Sequence, residues 1–305
     1  MRWTETVTLA VVSCLITASS SQVLAAEAPV MKMHPISEGR LYWVEGGGPN
    51  SGVIIGNTGV IVIDAKGAPD TAKTMQAEIA KLTPKPVTHV IVTHSDGDHI
   101  NGLAGFPDGL KIISHVNTKS EWQAVYLSAA VEVDGGRCLP PANRIPNQVI
   151  IRDRVETTID GVKLVFHHFG PAHTSGDLVV EIPSERTAFV GDLLTSSVLV
   201  HPEKAGSLEG WFANARGILA LNVVRYIGGH TDGVDTKESV RKRMEAYQAI
   251  RDKVDGLVAQ GRSLAEVKKA MGDPEKEPVG CRGIPRWSLA ELEFHHRTNL
   301  NDEIK

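Results

Sequence analysis

Short apolar runs predict that the first half of the chain opens with a sheet. Residues 40–44, 52–55 and 60–64 have the length and β-branched content of strands, and residues 56–59 read as the turn between the last two. Residues 87–93 form another buried β run that leads directly into a polar segment. The pattern therefore places polar side chains at the carboxyl end of a buried strand.

The alternation of strands and helices continues to the C terminus. Further strands are predicted at 111–114, 149–152, 155–159, 162–169, 178–182, 187–190 and 223–227. Helices are predicted at 68–82, 117–130, 208–221, 237–259 and 264–271, and a loop rich in glycine and proline at 135–146. Because both halves mix strands with helices and no linker divides them, we predict an α/β fold with two sheets packed back to back and helices outside.

Composition is that of a globular protein. The chain has 305 residues, of which 42% are hydrophobic and 22% charged, so it can bury a large core. Its 32 Lys and Arg against 36 Asp and Glu give a net charge of −4. No sequence-wide basic field exists to hold a phosphate backbone, so nucleic-acid binding is disfavoured and a small-molecule partner is expected. The sequence does not indicate an oligomeric state.

The N-terminal segment, residues 1–26, is predicted to be a secretory signal peptide. Arg2 precedes an apolar run over 7–18, and the segment ends in small residues with cleavage expected after Ala25 or Ala26. A lipoprotein cleavage at Cys14 is the less favoured alternative, because the apolar run before it is short. The run is also too short to anchor the protein in a membrane, so a periplasmic or secreted location is expected.

Export would leave Cys138 and Cys281 as the only cysteines of the mature chain. An oxidising compartment permits a disulfide between them. Two free thiols remain an equal alternative. Thiol titration of the denatured, unreduced protein distinguishes the two.

The segment from His94 to His99 carries four side chains of the kind that bind metal ions. His94, Asp96, Asp98 and His99 lie within six residues, directly after the predicted strand. A loop that leaves a rigid sheet can hold ligands in place while staying open to solvent, as a metal site with a vacant coordination position requires. A solvated polar turn is the alternative interpretation.

Three further candidate ligands follow later apolar runs. They are His173, Asp192 and His230, and each has small neighbours that let the backbone turn tightly beside a metal. Any one alone could be an ordinary turn residue. Together with the first segment they predict a single metal centre.

In their order and spacing these residues resemble the metallo-β-lactamase-fold hydrolases over residues 40–235. The resemblance implies an αββα sandwich over 32–260, with a helical C-terminal extension at 261–305, and two metals at one edge of the sheets. By position, one metal would take His94, Asp96 and His173, and the other Asp98, His99 and His230. Asp192 would bridge both, as in the glyoxalase II-like branch of that family.

Asp96 departs from the family's usual H-x-H-x-D-H loop, because it occupies the position of the second histidine. A carboxylate there shifts preference from zinc toward iron or manganese. Flavodiiron proteins, on the same fold, carry Glu at this position and bind iron. Because Asp is shorter than His, the site could also be weak or empty. We expect two metals per chain, zinc first, with iron or manganese as the alternatives.

Such a centre predicts an exported metal-dependent hydrolase. Two cations lower the pKa of water toward neutrality, and Asp98 is the catalytic residue expected to bind one metal and hold the resulting hydroxide. The bond cleaved could be an ester, thioester, lactone, β-lactam or related bond in a small molecule. The alternatives are an iron-dependent oxidoreductase on the same fold and a non-catalytic exported metal-binding protein.

Other polar and aromatic residues receive structural interpretations. Asp64 is expected to accept hydrogen bonds behind the ligands, and Asp177 to support the loop of His173. His201 is a minor candidate for lining the substrate mouth. Ordinary surface or edge positions are expected for His34, His89 and His115, partly exposed strand positions for His167 and His168, a C-terminal helix for His295 and His296, and core packing for Trp122, Tyr126, Trp211 and Phe212.

Overall fold

The computed structural model describes residues 30–127, 142–195, 200–273 and 288–303. Its strands are Lys32–Ser37 (β1), Leu41–Glu45 (β2), Ser51–Ile55 (β3), Val60–Ile63 (β4), Val87–Ile91 (β5), Lys111–His115 (β6), Gln148–Ile150 (β7), Arg154–Ile159 (β8), Val162–His167 (β9), Val179–Ile182 (β10), Thr187–Thr195 (β11) and Arg225–His230 (β12). Its helices are Pro69–Leu82 (α1), Gly97–Ile100 (α2), Val116–Leu127 (α3), Leu208–Ala220 (α4), Lys237–Ala259 (α5), Leu264–Met271 (α6) and Leu289–Glu303 (α7). The predicted signal peptide, Cys138 and Cys281 lie outside the described residues.

The strands form two mixed sheets, as the apolar pattern predicted. The first has the order β1-β2-β3-β4-β5-β6-β7, antiparallel from β1 to β4 and parallel from β4 to β7. The second has the order β12-β11-β10-β9-β8, in which only the β11–β12 pair is parallel. Because β4, β5 and β6 are parallel neighbours, the segment that follows β5 leaves at a shared edge of the sheet.

Strands β4, β10 and β11 are buried on both faces, which accounts for their continuous apolar runs. In β4, Ile61 and Ile63 point toward the second sheet, whereas Val60 and Val62 pack toward α1. This alternation follows from the two-residue period of a strand. The protein therefore has a sheet-on-sheet core with an apolar layer beneath the helices on either side.

Helices cover the outer faces of the sheets. Helix α1 begins with Pro69 at its first turn, and Ala72, Met75 and Ile79 face the first sheet. On the second sheet α4 inserts Trp211 and Phe212 into the core, and Trp122 of α3 is equally buried on the first. Core packing is confirmed for these three aromatic residues, whereas the side chain of Tyr126 lies outside the described part.

The C-terminal helices pack against α5 and against each other. Val254 of α5, Val267 of α6 and Ala290 of α7 form a small buried cluster, and Arg251 donates from Nε to Glu293 at 2.9 Å. The boundary at residue 260 stays a prediction. Of the helices that the structure describes, none combines the length and apolar content needed to cross a bilayer.

Two elements differ from the sequence prediction in ways that have a physical cause. Strand β1 was not predicted, because it is a half-exposed edge strand with a bulge between Pro35 and Ser37 and so lacks a clear apolar alternation. Strand β11 runs on to Thr195, so Asp192 lies inside a strand rather than in a turn. The pairing of β11 with β12 is irregular on either side of Gly191, whose φ is 51°. This irregularity changes the direction of the side chains that follow Gly191.

Candidate metal centre

Seven polar side chains from four separate segments of the chain meet beside the ends of β5 and β12. His94 and Asp96 follow β5, and α2 carries Asp98 and His99. His173 lies on the loop after β9. Asp192 lies in β11, and His230 is the last residue of β12. All seven positions that the sequence analysis selected are thus brought together, and their assignment as ligands stays a prediction.

The seven side chains divide into two clusters. The first cluster contains His94, Asp96, His173 and Asp192, and the second contains Asp98, His99 and His230; within each, the donor atoms lie within 4.8 Å of one another. Tetrahedral zinc with nitrogen ligands at about 2.1 Å places neighbouring donors about 3.4 Å apart. In the first cluster His173 Nε2 is 3.1 Å and His94 Nε2 3.8 Å from Asp96 Oδ2. Both clusters have dimensions suited to a metal ion.

Asp192 lies between the two clusters and is almost fully buried, with 3% of its surface exposed. Its Oδ1 is 3.2 Å from His99 Nε2, and its Oδ2 is 3.4 Å from His230 Nε2. On the other side, Oδ2 is 3.8 Å from His173 Nε2 and 4.0 Å from His94 Nε2. A carboxylate with one group of imidazoles on each side has the position of a bridging ligand.

Asp64 sets the tautomers of two of these histidines. Its Oδ1 accepts from the backbone N–H of Thr93 and its Oδ2 from the Thr93 hydroxyl, both at 2.8 Å. Since the hydroxyl proton is used there, Nδ1 of His94 donates to Thr93 Oγ1 at 2.9 Å. Nδ1 of His99 lies 2.8 Å from Asp64 Oδ2 and donates to it. With Nδ1 of each ring engaged in this way, Nε2 is the nitrogen through which His94 and His99 can bind a metal.

Among the residues that the structure describes, neither Nε2 atom has a hydrogen-bond partner. His94 Nε2, His99 Nε2 and Asp192 Oδ1 are buried polar atoms without one. An unpaired buried polar atom costs about 1–3 kcal/mol, so three of them at one place require a compensating group. A metal ion at each cluster would satisfy them, and the residues present therefore fit a metal centre.

The electrostatics of the centre favour added positive charge. Burial alone would lower the pKa of His99, but the carboxylates of Asp192, Asp64 and Asp98 outweigh it and hold that pKa well above its usual range. Burial would likewise raise the pKa of Asp98, yet His99 and the hydrogen bond from His230 lower it to about 2. The same field that retains a proton on His99 would stabilise a cation in its place.

The loop of His173 is held by buried hydrogen bonds. Asp177 accepts from the backbone N–H groups of Ala172, His173 and Thr174 and from the Thr174 hydroxyl at 2.7 Å. Burial raises the pKa of this carboxyl despite those donors. Its supporting role agrees with the sequence prediction.

Glu121 of α3 joins two ligand-bearing segments, which the sequence analysis missed. It accepts from the backbone N–H of Ser175 at 3.0 Å and from the Ser95 hydroxyl. Ser95 lies between two candidate ligands, and Ser175 follows His173 by two positions. No local pattern marks a helical glutamate for this role, since it depends on where α3 packs.

Asp96 has two further partners, Lys204 and His201, from the turn after residue 200. Lys204 Nζ forms an ion pair with Asp96 Oδ1 and donates to Ser95 Oγ at 3.1 Å. His201 Nε2 lies 3.1 Å from Asp96 Oδ2. Sequence reasoning gave His201 little weight and did not identify Lys204, because nothing in the sequence near residue 204 points to residue 96.

Three other histidines differ from their sequence prediction. His115, expected at a surface or edge, is 5% exposed and stacks on His168 with ring centroids 3.9 Å apart. His167 and His168, expected to be partly exposed, are 6% and 8% exposed. His167 lies 2.7 Å from Glu181, and His168 bonds the Asp177 carbonyl. These partners explain how buried imidazoles are tolerated.

Lys66 supports the loop on the other side of the centre. It is fully buried, and its Nζ donates to the carbonyls of Val44 at 3.2 Å and Pro49 at 2.5 Å. The next residue of that loop, Asn50, donates from Nδ2 to the carbonyls of Gly228 and Thr231, on either side of His230. Burial lowers the pKa of Lys66 from 10.5 to about 7.

The Lys66→Met substitution is expected to change how stability depends on pH. Between pH 7 and 10 the unfolded chain holds the Lys66 proton while the folded chain releases it, so stability rises with pH; below pH 7 both states are protonated and the contribution is constant. The free energy of unfolding of the wild type minus that of the variant should rise by up to about 1.4 kcal/mol per pH unit.

Urea denaturation at pH 7.5, 8.5 and 9.5 measures this difference. Lys163→Met is the matched control, because that side chain is 57% exposed and its substitution should leave the slope unchanged. A Lys66→Met difference that stays flat across the range contradicts the prediction.

Comparison with known proteins agrees with this geometry. The family model of the Metallo-beta-lactamase superfamily matches residues 44–230. The 2,4-dinitroanisole O-demethylase subunit alpha of Nocardioides sp. (strain JS1661) is 27% identical over 259 residues, covering 83% of this chain and 74% of that protein. The linear primary-alkylsulfatase of Pseudomonas sp. (strain ATCC 19151) is 22% identical over 232 residues, covering 64% of this chain and 43% of that protein.

A solved structure supports the fold. The stereoselective inverting sec-alkylsulfatase Pisa1 from Pseudomonas sp. superposes with a TM-score of 0.59 at 19% identity, covering 84% of this chain and 46% of that one. The chain thus spans less than half the length of these two alkylsulfatases. The family match covers more than half of the chain and includes all seven residues of the two clusters. The protein belongs to the metallo-beta-lactamase superfamily.

Proposed function

We propose that the protein is an exported hydrolase that depends on two divalent cations and cleaves a small molecule carrying negative charge beside the scissile bond. The observation that carries this proposal is the convergence of seven donor residues into two clusters, with the carboxylate of Asp192 between them. Zinc is the first choice because four of the seven donors are imidazoles, and iron or manganese is the second because three are carboxylates.

Bound cations would supply the charge that lowers the pKa of water toward neutrality. Asp98 is placed to orient that water. Its side chain is 47% exposed, the largest fraction among the seven residues, and its Oδ2 is 3.0 Å from His230 Nε2. A pKa of about 2 keeps this carboxylate ionised at neutral pH, so it can accept a hydrogen bond from that water.

The position of the Lys204 ammonium supports the proposal that the substrate is an anion. Among the described residues this ammonium contacts Asp96 and Ser95, which leaves one of its three protons for another acceptor. The relatives' names indicate O-demethylation of 2,4-dinitroanisole and hydrolysis of alkyl sulfates. An alkyl sulfate is an anion and dinitroanisole is neutral, so the ammonium favours a sulfate ester as the first class to test.

Metal analysis and a substrate panel test the proposal. Protein purified without added metal is expected to contain two zinc ions per chain. Iron together with no hydrolysis of the substrates below would favour an oxidoreductase, and no metal would favour a non-catalytic role. The panel contains an alkyl sulfate, 2,4-dinitroanisole, a carboxylic ester, a lactone, a thioester and a cephalosporin. Activity should be lost on chelation and return with zinc, and activity that survives complete metal removal contradicts the proposal.

The Lys204→Met substitution is expected to raise KM for the anionic substrate by roughly 10- to 100-fold, the equivalent of one charge-assisted hydrogen bond. Hydrolysis of an uncharged ester should change much less. Lys204→Arg keeps the charge and is the matched control. Steady-state kinetics on both substrates measures the effect, and an equal loss on both would show that Lys204 does not recognise the anion.

Export is proposed from residues 1–26 alone. The N terminus of the protein recovered from the periplasm or medium should begin at Ala26 or Glu27, because cleavage is expected after Ala25 or Ala26. An intact N terminus in that fraction, or retention in the cytoplasm, contradicts it.

A further inference from the structure

His201 has a fixed place beside the first cluster. Its backbone N–H donates to the carbonyl of His173 at 2.9 Å, and Gly206 donates back to the carbonyl of His201 at 2.9 Å. A Cβ at Gly206 would lie 2.4 Å from the His173 carbonyl oxygen, so only glycine allows the two segments to approach this closely. The turn that carries His201 is therefore fastened to the loop that carries His173.

The imidazole of His201 faces the first cluster. Its Nε2 is 3.1 Å from Asp96 Oδ2, and its ring lies 4.9 Å from that of His173 with an interplanar angle of 68°. The rings of His94 and His173, both in the first cluster, have a similar edge-on arrangement at 4.6 Å and 82°. His201 thus extends the row of imidazoles on the side that faces Lys204.

Glu203 orients the two nitrogens of His201. Nδ1 lies 2.9 Å from Glu203 Oε1, so the proton of a neutral ring is held there. Nε2 is a buried atom without a hydrogen bond in the described part of the chain, although Asp96 Oδ2 lies 3.1 Å from it. Among the described residues His99 has a similar arrangement, with Asp64 on Nδ1 and no hydrogen bond at Nε2, which lies 3.2 Å from Asp192 Oδ1. A carboxylate on one nitrogen and a free lone pair on the other are typical of metal-bound histidines.

The ion pair of Asp96 explains why a third imidazole would be useful at the first cluster. Because the Lys204 ammonium forms an ion pair with Asp96 Oδ1, part of the carboxylate's charge is already neutralised and less is available to a metal. Besides Asp192, the first cluster then offers the imidazoles of His94 and His173 and the Asp96 carboxylate, which is shared with Lys204. A third imidazole would restore a nitrogen-rich site suited to zinc.

From these contacts we infer that His201 is an additional ligand of the metal held by His94, Asp96 and His173, with Glu203 fixing its tautomer. The inference rests on the proposed metal dependence of the enzyme. The alternative is that His201 is protonated, pairs with Asp96 as an imidazolium and binds no metal.

Zinc titration of the metal-free protein against a chromogenic chelator decides between the two. The wild type should bind two zinc ions, and His201→Ala should bind one of them at least about tenfold more weakly while the other is unaffected. Glu203→Gln should weaken the same ion less, because it disturbs only the tautomer. His34→Ala is the control, since that partly exposed ring stacks on Trp43 at the edge of the first sheet.

The outcomes separate this inference from the proposed function. Two zinc ions bound by His201→Ala as tightly as by the wild type would overturn the His201 assignment and leave the proposed function standing. A wild-type protein that binds no zinc, iron or manganese would overturn both. The absorption spectrum of the cobalt-loaded protein gives a second readout, and it should change in His201→Ala and stay unchanged in His34→Ala.

Discussion

Replacing Asp192 by alanine is expected to lower kcat/KM by at least about 10³-fold, because a bridging ligand contributes several kcal/mol through both metals. The carboxylate lies within 4.0 Å of four imidazole nitrogens, two on each side, so both clusters lose a ligand at once. Metal content should fall below two ions per chain. Kinetics on the substrate identified by the panel and elemental analysis of the same preparation measure the two effects.

Asp235 offers a matched control for Asp192. It is also a buried aspartate, but it pairs with Arg243 and Ser239 outside the centre. Asp235→Ala should reduce thermal stability and keep the metal content of the wild type. If the Asp192→Ala variant retains two metals and more than about a tenth of the wild-type activity, the Asp192 carboxylate does not bridge the two clusters.

The second large effect is expected for Asp64→Asn, although Asp64 is not a proposed ligand. The amide N–H₂ of asparagine would face Nδ1 of His99, which can then only accept, so the proton moves to Nε2 and points at the metal position. Metal affinity should fall by about 10- to 100-fold, as for other outer partners of histidine ligands. Zinc titration of the metal-free variant measures this loss.

Asparagine is the informative replacement at this position for a conformational reason. Asp64 has a φ of 61°, a left-handed conformation that Asn tolerates better than alanine does. Thr93→Val is the companion variant, since it breaks the link from Asp64 to His94 and leaves the bond to His99. It should weaken one metal only. Zinc affinity of Asp64→Asn equal to that of the wild type would show that the tautomer is set elsewhere.

Much of the fold follows from local apolar spacing. The predicted helix at 237–259 coincides with α5, and the strands at 52–55 and 155–159 match β3 and β8 within a residue. These elements are buried on defined faces, so their pattern has a clear period. Edge strand β1 was not predicted, because a half-exposed strand does not need to alternate apolar and polar residues.

The sequence by itself determined which residues are available as ligands: the spacing from His94 to His99 is local, and strands before His173 and His230 supply rigid supports. Only the tertiary structure decided which nitrogens are free, that Asp192 lies between the clusters, and that Lys204, 108 positions from Asp96, neutralises it. Proton positions depend on partners such as Asp64 and Thr93. Such contacts join segments whose separation in the chain carries no information about their distance in space.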